Sequence, residues 1–217
     1  MISVIMQGPG IELMQVEYTH LASYGGDVLV EHDVTWDLYS QIHAQRGTLS
    51  SWWDLWRWRR YERRAVRQFR RVVAMSEKDR LLLGAEQVRV IPNGVDLERF
   101  RPLPDPQAPN LLFVGSFRHF PNILAFRFFT EQVWPLIEGR FPELRLTVVA
   151  GPDPLGYWRA ATDAPPPKTT DRMRLLGFVR DVKPLYDEAS VVVVPTPVSA
   201  GTNLKVLEAM AMERAVV

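Results

Sequence analysis

The sequence predicts an α/β fold of parallel, doubly wound sheets, and three observations carry that expectation. The run Val191, Val192, Val193, Val194 is too short for a helix and apolar on both faces, the mark of a strand buried inside a parallel sheet. From residue 111 onward, strand-like runs alternate with helix-like stretches across short loops. Glycines follow four of those runs, at Gly115, Gly151, Gly177 and Gly201, where a parallel sheet exposes its carboxyl edge.

The 217 residues are 47% hydrophobic and 24% charged, the balance of a globular protein with one large or two small domains. The chain has no cysteine, which excludes disulfides, cysteine–zinc sites and thiol nucleophiles. Its four histidines show no metal-ligand spacing. No apolar run approaches the roughly 20 residues of a membrane span. Met1 to Met6 is too short and lacks the basic flank of a signal peptide, so a cytoplasmic location is expected.

In chain order, residues 11–18 read as a strand and residues 27–31 as a second one. The second ends at the polar trio Glu31, His32, Asp33, which places His32 at a strand's carboxyl edge. Residues 35–45 read as a helix, and Ser50 or Ser51 as the N-cap of the next. That helix is unusual in composition. Residues 51–71 carry eight arginines against Asp54 and Glu62, a local charge of +6 on a chain otherwise at −5. Leu55, Trp58, Glu62, Ala65, Phe69 and Val72 form one stripe at helical spacing, with Glu62 the odd member, while Trp52, Trp53 and Trp56 fall outside it. Two readings stand: a helix packed on its own domain with solvated arginines, or a helix lying at an anionic membrane surface. No nucleic-acid-binding motif accompanies it, so no nucleic-acid partner is expected.

Residues 72–75 read as a strand, Ser76 with Asp79 as a helix start, and residues 88–91 as a strand closed by Pro92, Asn93 and Gly94. Four prolines within residues 100–109 mark a linker. The expected domains are therefore 1–101 and 110–217, joined by 102–109. In the second, strands are expected at 111–114, 144–150, 173–176 and 191–194, and helices at 123–138, 182–189 and 204–212. Residues 160–170 read as irregular, and residues 215–217 as the start of a further strand.

The carboxyl-edge loops bring together Gly115, Ser116, Arg118 and His119, then Gly151, then Gly177, Phe178 and Val179, then Gly201, Thr202 and Asn203 ahead of Lys205 and Glu208. Backbone amides, cations, an apolar shelf and one carboxylate are the parts a nucleoside diphosphate requires. No GxGxxG follows a strand, no GxxxxGK[ST] is present and no GxSxG elbow occurs, so dinucleotide oxidoreductases, P-loop NTPases and serine hydrolases are not expected.

The segments IPNGVDLERF (91–100), LLFVGSF (111–117), LLGFVRDVKPLYDEASVVVVPT (175–196) and GTNLKVLEAMAM (201–212), in that order, resemble the GT-B-fold retaining glycosyltransferases of glycosyltransferase family 4. The resemblance implies two Rossmann-like domains of parallel strands flanked by helices, an acceptor-side domain first and a nucleotide-sugar domain second. It implies transfer, with retention, from a nucleoside-diphosphate sugar to a glycan or lipid-linked acceptor, in polysaccharide or cell-envelope biosynthesis. No cofactor and no obligatory metal are implied. Glu208 matches the ribose-binding glutamate. Gly201, Thr202, Asn203 and Leu204 match the turn whose amides meet sugar and diphosphate. Gly177, Phe178 and Val179 match the nucleobase contact, and Gly115 with Ser116 the diphosphate approach. His32 matches the first-domain histidine, and Arg118 and Lys205 are the cations expected on the leaving group.

The sequence departs from that pattern in two places. Ala200 stands where a sugar-contacting glutamate is common, and Ser116, Pro121 and Asn122 replace the usual first-loop cation positions. Measured against the family, both domains are expected to be incomplete, which makes a non-catalytic remnant that binds nucleotide or a partner the alternative. A sugar-nucleotide epimerase would share the fold but need further carboxylates at the sugar, and none stands in these loops.

Overall fold

Strand alternation decides which side chains reach which layer of this protein. In the computed structural model, which describes residues 11–199 and 201–217, the chain divides into two compact units, each with its own parallel sheet. Residues 1–10 and Ala200 lie outside the described residues.

The first unit runs to Asn93 and includes Ser199–Thr202. Its elements are β1 (Gln15–Glu17), a 3₁₀ turn (Thr19–Tyr24), β2 (Val28–Glu31), α1 (Thr35–Arg46), α2 (Leu49–Gln68), β3 (Arg71–Ala74), α3 (Glu77–Leu83) and β4 (Val88–Val90). The strands pair in the order β1-β2-β3-β4, all parallel, with Val28 opposite Arg71 and Glu31 opposite Ala74. Val16, Leu29, Val72 and Val88 from the strands meet Ala65, Val66 and Phe69 of α2 and its C-terminus in one core. The stripe expected on α2 is therefore its packed face. Two local expectations give way. Strand 11–18 shortens to three residues: it pairs with β2 only from Gln15, and at its other end the backbone turns at Tyr18 with φ 67. The N-cap of α2 is Thr48, whose Oγ1 accepts the Ser51 N–H at 3.2 Å, and Ser51 itself is buried inside the helix.

The second unit holds β5 (Asn110–Val114), α4 (Phe120–Phe128), a wide turn (Phe129–Val133), α5 (Trp134–Glu138), β6 (Arg145–Val149), α6 (Pro154–Ala161), β7 (Met173–Leu176), α7 (Lys183–Asp187), β8 (Val191–Val192), α8 (Leu204–Ala211) and β9 (Ala215–Val216). The sheet order is β7-β6-β5-β8-β9, all parallel. Along β5, Leu111 and Phe113 face a core with Phe117, Phe126 and Trp158, while Leu112 faces the opposite core with Tyr186, Ala209 and Met212. The valines repeat the pattern, Val191 and Val193 to the first layer and Val192 and Val194 to the second. The strand expected at 191–194 is shorter, since β8 covers only Val191–Val192, but the Val193 N–H still donates to the Leu112 carbonyl at 2.9 Å, so the run stays covered on both faces.

The helix expected at 123–138 begins earlier and is interrupted. Pro121 sits in its first turn, and the wide turn at Phe129–Val133 precedes Pro135. Proline has no N–H and crowds the carbonyl four residues back, and a widened turn accommodates both without ending the helix. The segment expected as a linker packs with the second unit. The buried Arg214 guanidinium donates to Asp105 Oδ1 at 3.0 Å and to the Pro104 carbonyl at 3.3 Å, and Phe100 meets Tyr186 edge-on at 6.0 Å between ring centroids.

Candidate functional site

The second sheet grows outward from β5 through β6 to β7, then returns to the other side of β5 with β8 and β9. Its strand order therefore reverses between β5 and β8, and in open parallel sheets ligands bind outside the carboxyl ends at such a switch. The loop after β5 opens at Gly115, whose N–H donates to the Val149 carbonyl at 2.9 Å. A Cβ at Gly115 would lie 2.8 Å from the Asn122 side-chain amide and 3.1 Å from the Phe113 ring, so any larger residue would have to displace the Asn122 side chain. Asn122 also donates from Nδ2 to the Ser116 carbonyl at 2.9 Å, which ties the loop to the start of that helix. The Ser116 side chain presses on Gly151 at the end of β6: a Cβ there would lie 2.4 Å from Ser116 Oγ, and the backbone has φ +77. The Gly151 carbonyl oxygen in turn lies 3.7 Å from the Cβ position of Gly177, so the first three loop glycines are neighbours.

Helix α8 supplies the charged groups. Lys205 Nζ lies 3.4 Å from Asn122 Oδ1 and 5.6 Å from the centroid of the Phe113 ring. Burial lowers its ammonium to about 8, so the side chain holds its charge at neutral pH with little in reserve. Three residues on, Glu208 shares that helix face and accepts a 2.7 Å hydrogen bond from the Tyr186 phenol. Burial, and then the Glu208 carboxylate, push that phenol well above its ordinary range, so it stays a donor. The Asn203 side chain makes no capping bond to the first turn of α8.

The second unit thus gathers Gly115, Ser116, Gly177, Phe178, Val179, Asn203, Leu204, Lys205 and Glu208. Arg118 is exposed in the β5 loop, its backbone N–H 3.4 Å from Ser116 Oγ. Phe178 is exposed, whereas Val179 packs against the second core layer. Gly201, with φ +68, and Thr202 belong to the stretch that groups with the first unit. His32 also lies there: its Nε2 is 2.6 Å from Glu17 Oε2, and its ring is 4.3 Å from that of Tyr18. Glu17 is held below the ordinary carboxylate range, first by Gln15 and then by His32. Sequence reasoning missed Tyr186 as the partner of Glu208, since the two are 22 residues apart on different helices.

Comparison with known proteins agrees with this architecture. Residues 108–217 match the family described as glycosyl transferases group 1, and residues 28–99 match glycosyltransferase family 4. Among curated proteins none matches the sequence. Among solved structures, Anabaena Alr3699/HepE in complex with UDP and glucose superposes with a TM-score of 0.60 at 15% identity, over 93% of this chain and 58% of that one. A mutant of S. aureus TarM, solved with fondaparinux, α-GlcNAc-glycerol and UDP, gives 0.60 at 13% identity, over 87% and 36%. Trehalose-6-phosphate synthase OtsA gives 0.55 at 16% identity, over 92% and 55%. The chain spans less than two thirds of the length of each. At these identities the likeness is one of fold, the GT-B architecture. Together the family match across more than half of the sequence and the two parallel-sheet units establish that the chain belongs to the glycosyl transferases group 1 family.

Proposed function

We propose that this chain takes part in retaining glycosyl transfer from a nucleoside-diphosphate sugar to a glycan or lipid-linked acceptor of the cell envelope. The observation that carries the reading is the pairing on α8 of a partly desolvated lysine with a carboxylate held by a buried phenol, beside the glycine loops of β5 and β6. In the transfer, the bond from the anomeric carbon to the diphosphate oxygen breaks. The acceptor hydroxyl oxygen bonds to the same face of that carbon, and its proton passes to the departing diphosphate. Lys205 and Arg118 meet the charge that develops on the diphosphate, in place of an obligatory metal. Glu208 accepts from the ribose hydroxyls, and Tyr186 fixes its orientation. The amides of residues 201–204 face sugar and phosphate, Gly177, Phe178 and Val179 the base, and His32 the acceptor side.

UDP is the first probe, because the HepE and TarM structures carry it. Calorimetry of the full chain with UDP, GDP and ADP is paired with a chromatographic assay for nucleoside diphosphate released from the matching sugar donor. Binding weakened by Glu208→Gln and by Lys205→Gln, together with release that depends on an acceptor and product that keeps the donor's anomeric configuration, supports the reading. Binding without release points to a nucleotide-binding remnant. Absence of binding by all three nucleotides rejects the donor site.

A further inference from the structure

The eight arginines of residues 51–71 have no role in the donor site, and among the described residues none of them forms an ion pair. Helix α2 buries Ser51, Glu62, Ala65 and Val66 on one face. At about 100° per residue, the outward side carries Leu49, Trp52, Trp53 and Trp56 in its first turns and Arg60, Arg63, Arg64 and Arg67 in its later ones, with Arg59 on the flank, its guanidinium 5.2 Å from the centroid of the Trp36 ring. The outward surface is therefore divided along the axis, aromatic at the N-terminal end and cationic toward the C-terminal end, over about 27 Å. Leu49 is 87% exposed, and Trp52, Trp53 and Trp56 are 49%, 50% and 43% exposed. The indoles form one cluster, with centroids 6.4 Å apart for Trp52 and Trp53 and 5.0 Å apart for the stacked Trp53 and Trp56. Beyond it, Trp56 and the arginines from Arg59 to Arg67 line an open trough of about 800 Å³.

Such a surface is costly in water and unsuited to a protein core. Three large indoles stand exposed, and five guanidinium groups crowd together with no ion pair among the described residues to relieve their repulsion. We infer that this face of α2 docks on an anionic phospholipid surface. The indoles enter the headgroup–acyl boundary, and the arginines lie on the lipid phosphates. Charge complementarity selects the partner. A zwitterionic bilayer gives the arginines no net attraction, and a soluble polyanion gives the indoles nothing to enter. Among the described residues no helix is long and apolar enough to cross a membrane, so the association is peripheral. It would place the first unit beside a lipid-linked acceptor, but docking itself needs neither donor nor turnover, and its failure leaves the donor reading untouched.

The test is sedimentation of the full chain with vesicles of phosphatidylcholine alone or with about 30 mol% phosphatidylglycerol, at about 0.02 M and about 0.5 M salt. Brominated lipid is used to quench tryptophan emission. The expected result is binding to the anionic vesicles only, loss of binding at high salt, and quenching. Arg59→Gln, Arg63→Gln and Arg67→Gln together should weaken partitioning on the order of a hundredfold. Trp52→Ser, Trp53→Ser and Trp56→Ser should abolish the part that survives moderate salt. Circular dichroism checks that the variants fold, and the lipid and salt dependence of the unaltered chain decides the matter if they do not. No sedimentation with anionic vesicles at low salt overturns the inference. So does binding without quenching that short polyphosphate competes away, which would assign the face to a soluble polyanion.

Discussion

The Tyr186 phenol donates to Glu208 Oε2 at 2.7 Å, joining a buried residue of α7 to the half-buried carboxylate of α8. The bond fixes the plane of the carboxylate through that oxygen. A hydrogen bond to a charged acceptor contributes about 1.5–3 kcal/mol. Tyr186→Phe should therefore weaken UDP binding about tenfold while leaving the fold intact, since the ring keeps its packing against Phe100. Glu208→Gln should weaken it at least as much. Calorimetry on both variants checks this, and equal affinity in the phenylalanine variant would show that the phenol positions nothing.

Lys205 makes stability and diphosphate binding respond to pH in opposite directions. Its folded pKa, about 8, lies below the ordinary 10.5 because burial disfavours the ammonium. The unfolded chain thus binds more protons between these values. The burial penalty is complete below about 8 and fades as pH rises toward 10.5, so the lysine makes stability increase with pH across that window. Diphosphate binding should run the other way, since it needs the charged form. UDP affinity is expected to fall between about pH 7 and about pH 9. Lys205→Gln should bind more weakly at neutral pH and lose that slope. Titration calorimetry at the two pH values reads both effects.

A second pH-sensitive group lies in the first unit, where the Thr19 hydroxyl contacts Glu31 Oε1 and, at 3.0 Å, Glu62 Oε1. One hydroxyl has one proton, so it cannot donate to two carboxylates. Glu62 already accepts two backbone N–H groups, and Glu31 is pushed up to about 8 by burial first and by Glu62 among the lesser causes. Glu31 is therefore the protonated partner, donating to Thr19 while Thr19 donates to Glu62. Because its folded pKa lies above the ordinary 4.5, the stabilisation is full below that value and is lost as pH rises through about 8. The melting temperature should fall between pH 5 and pH 8, and Glu31→Gln, which keeps a donor without the charge, should flatten that fall. Thermal unfolding followed by circular dichroism across the range tests it.

The layered sheet was legible in the sequence because its signals are local. The valines of residues 191–194 alternate between two cores, and each glycine loop follows its strand. Helix α6 was not read from the sequence, although Asp153 before Pro154 carries the signal for its start: Asp153 Oδ1 accepts the Gly156 N–H at 3.1 Å. The irregular reading of residues 160–170 overlaps the last two residues of that helix, Ala160 and Ala161. What could not be read depends on partners distant in sequence. Nothing local pairs Tyr186 with Glu208, Asn122 with Lys205, or Arg214 with Asp105. The division of α2 into aromatic and cationic ends was present in the order of residues. Its exposure became visible only with the packed face known.

Glu62, the one charged residue in the apolar stripe of α2, is there to cap another helix. Val34 precedes α1 and has no side-chain acceptor, so the first N–H groups of that helix need one from elsewhere. Glu62 Oε1 accepts from the Thr35 N–H at 2.9 Å, and Oε2 from the Trp36 N–H at 3.0 Å. The carboxylate is fully buried, and burial raises its pKa, against which these backbone bonds and the Thr19 hydroxyl work. Each buried donor left without its acceptor costs about 1–3 kcal/mol. Glu62→Ala strips acceptors from Thr35, Trp36 and Thr19 together and leaves a cavity. The first unit should lose on the order of 4 kcal/mol or more. Glu62→Gln keeps one acceptor oxygen and should lose less than the alanine variant. Urea unfolding of the three proteins, with hydrogen exchange at the start of α1, measures the order. A glutamine variant as destabilised as the alanine variant would mean that the charge, rather than the capping bonds, holds α1 in place.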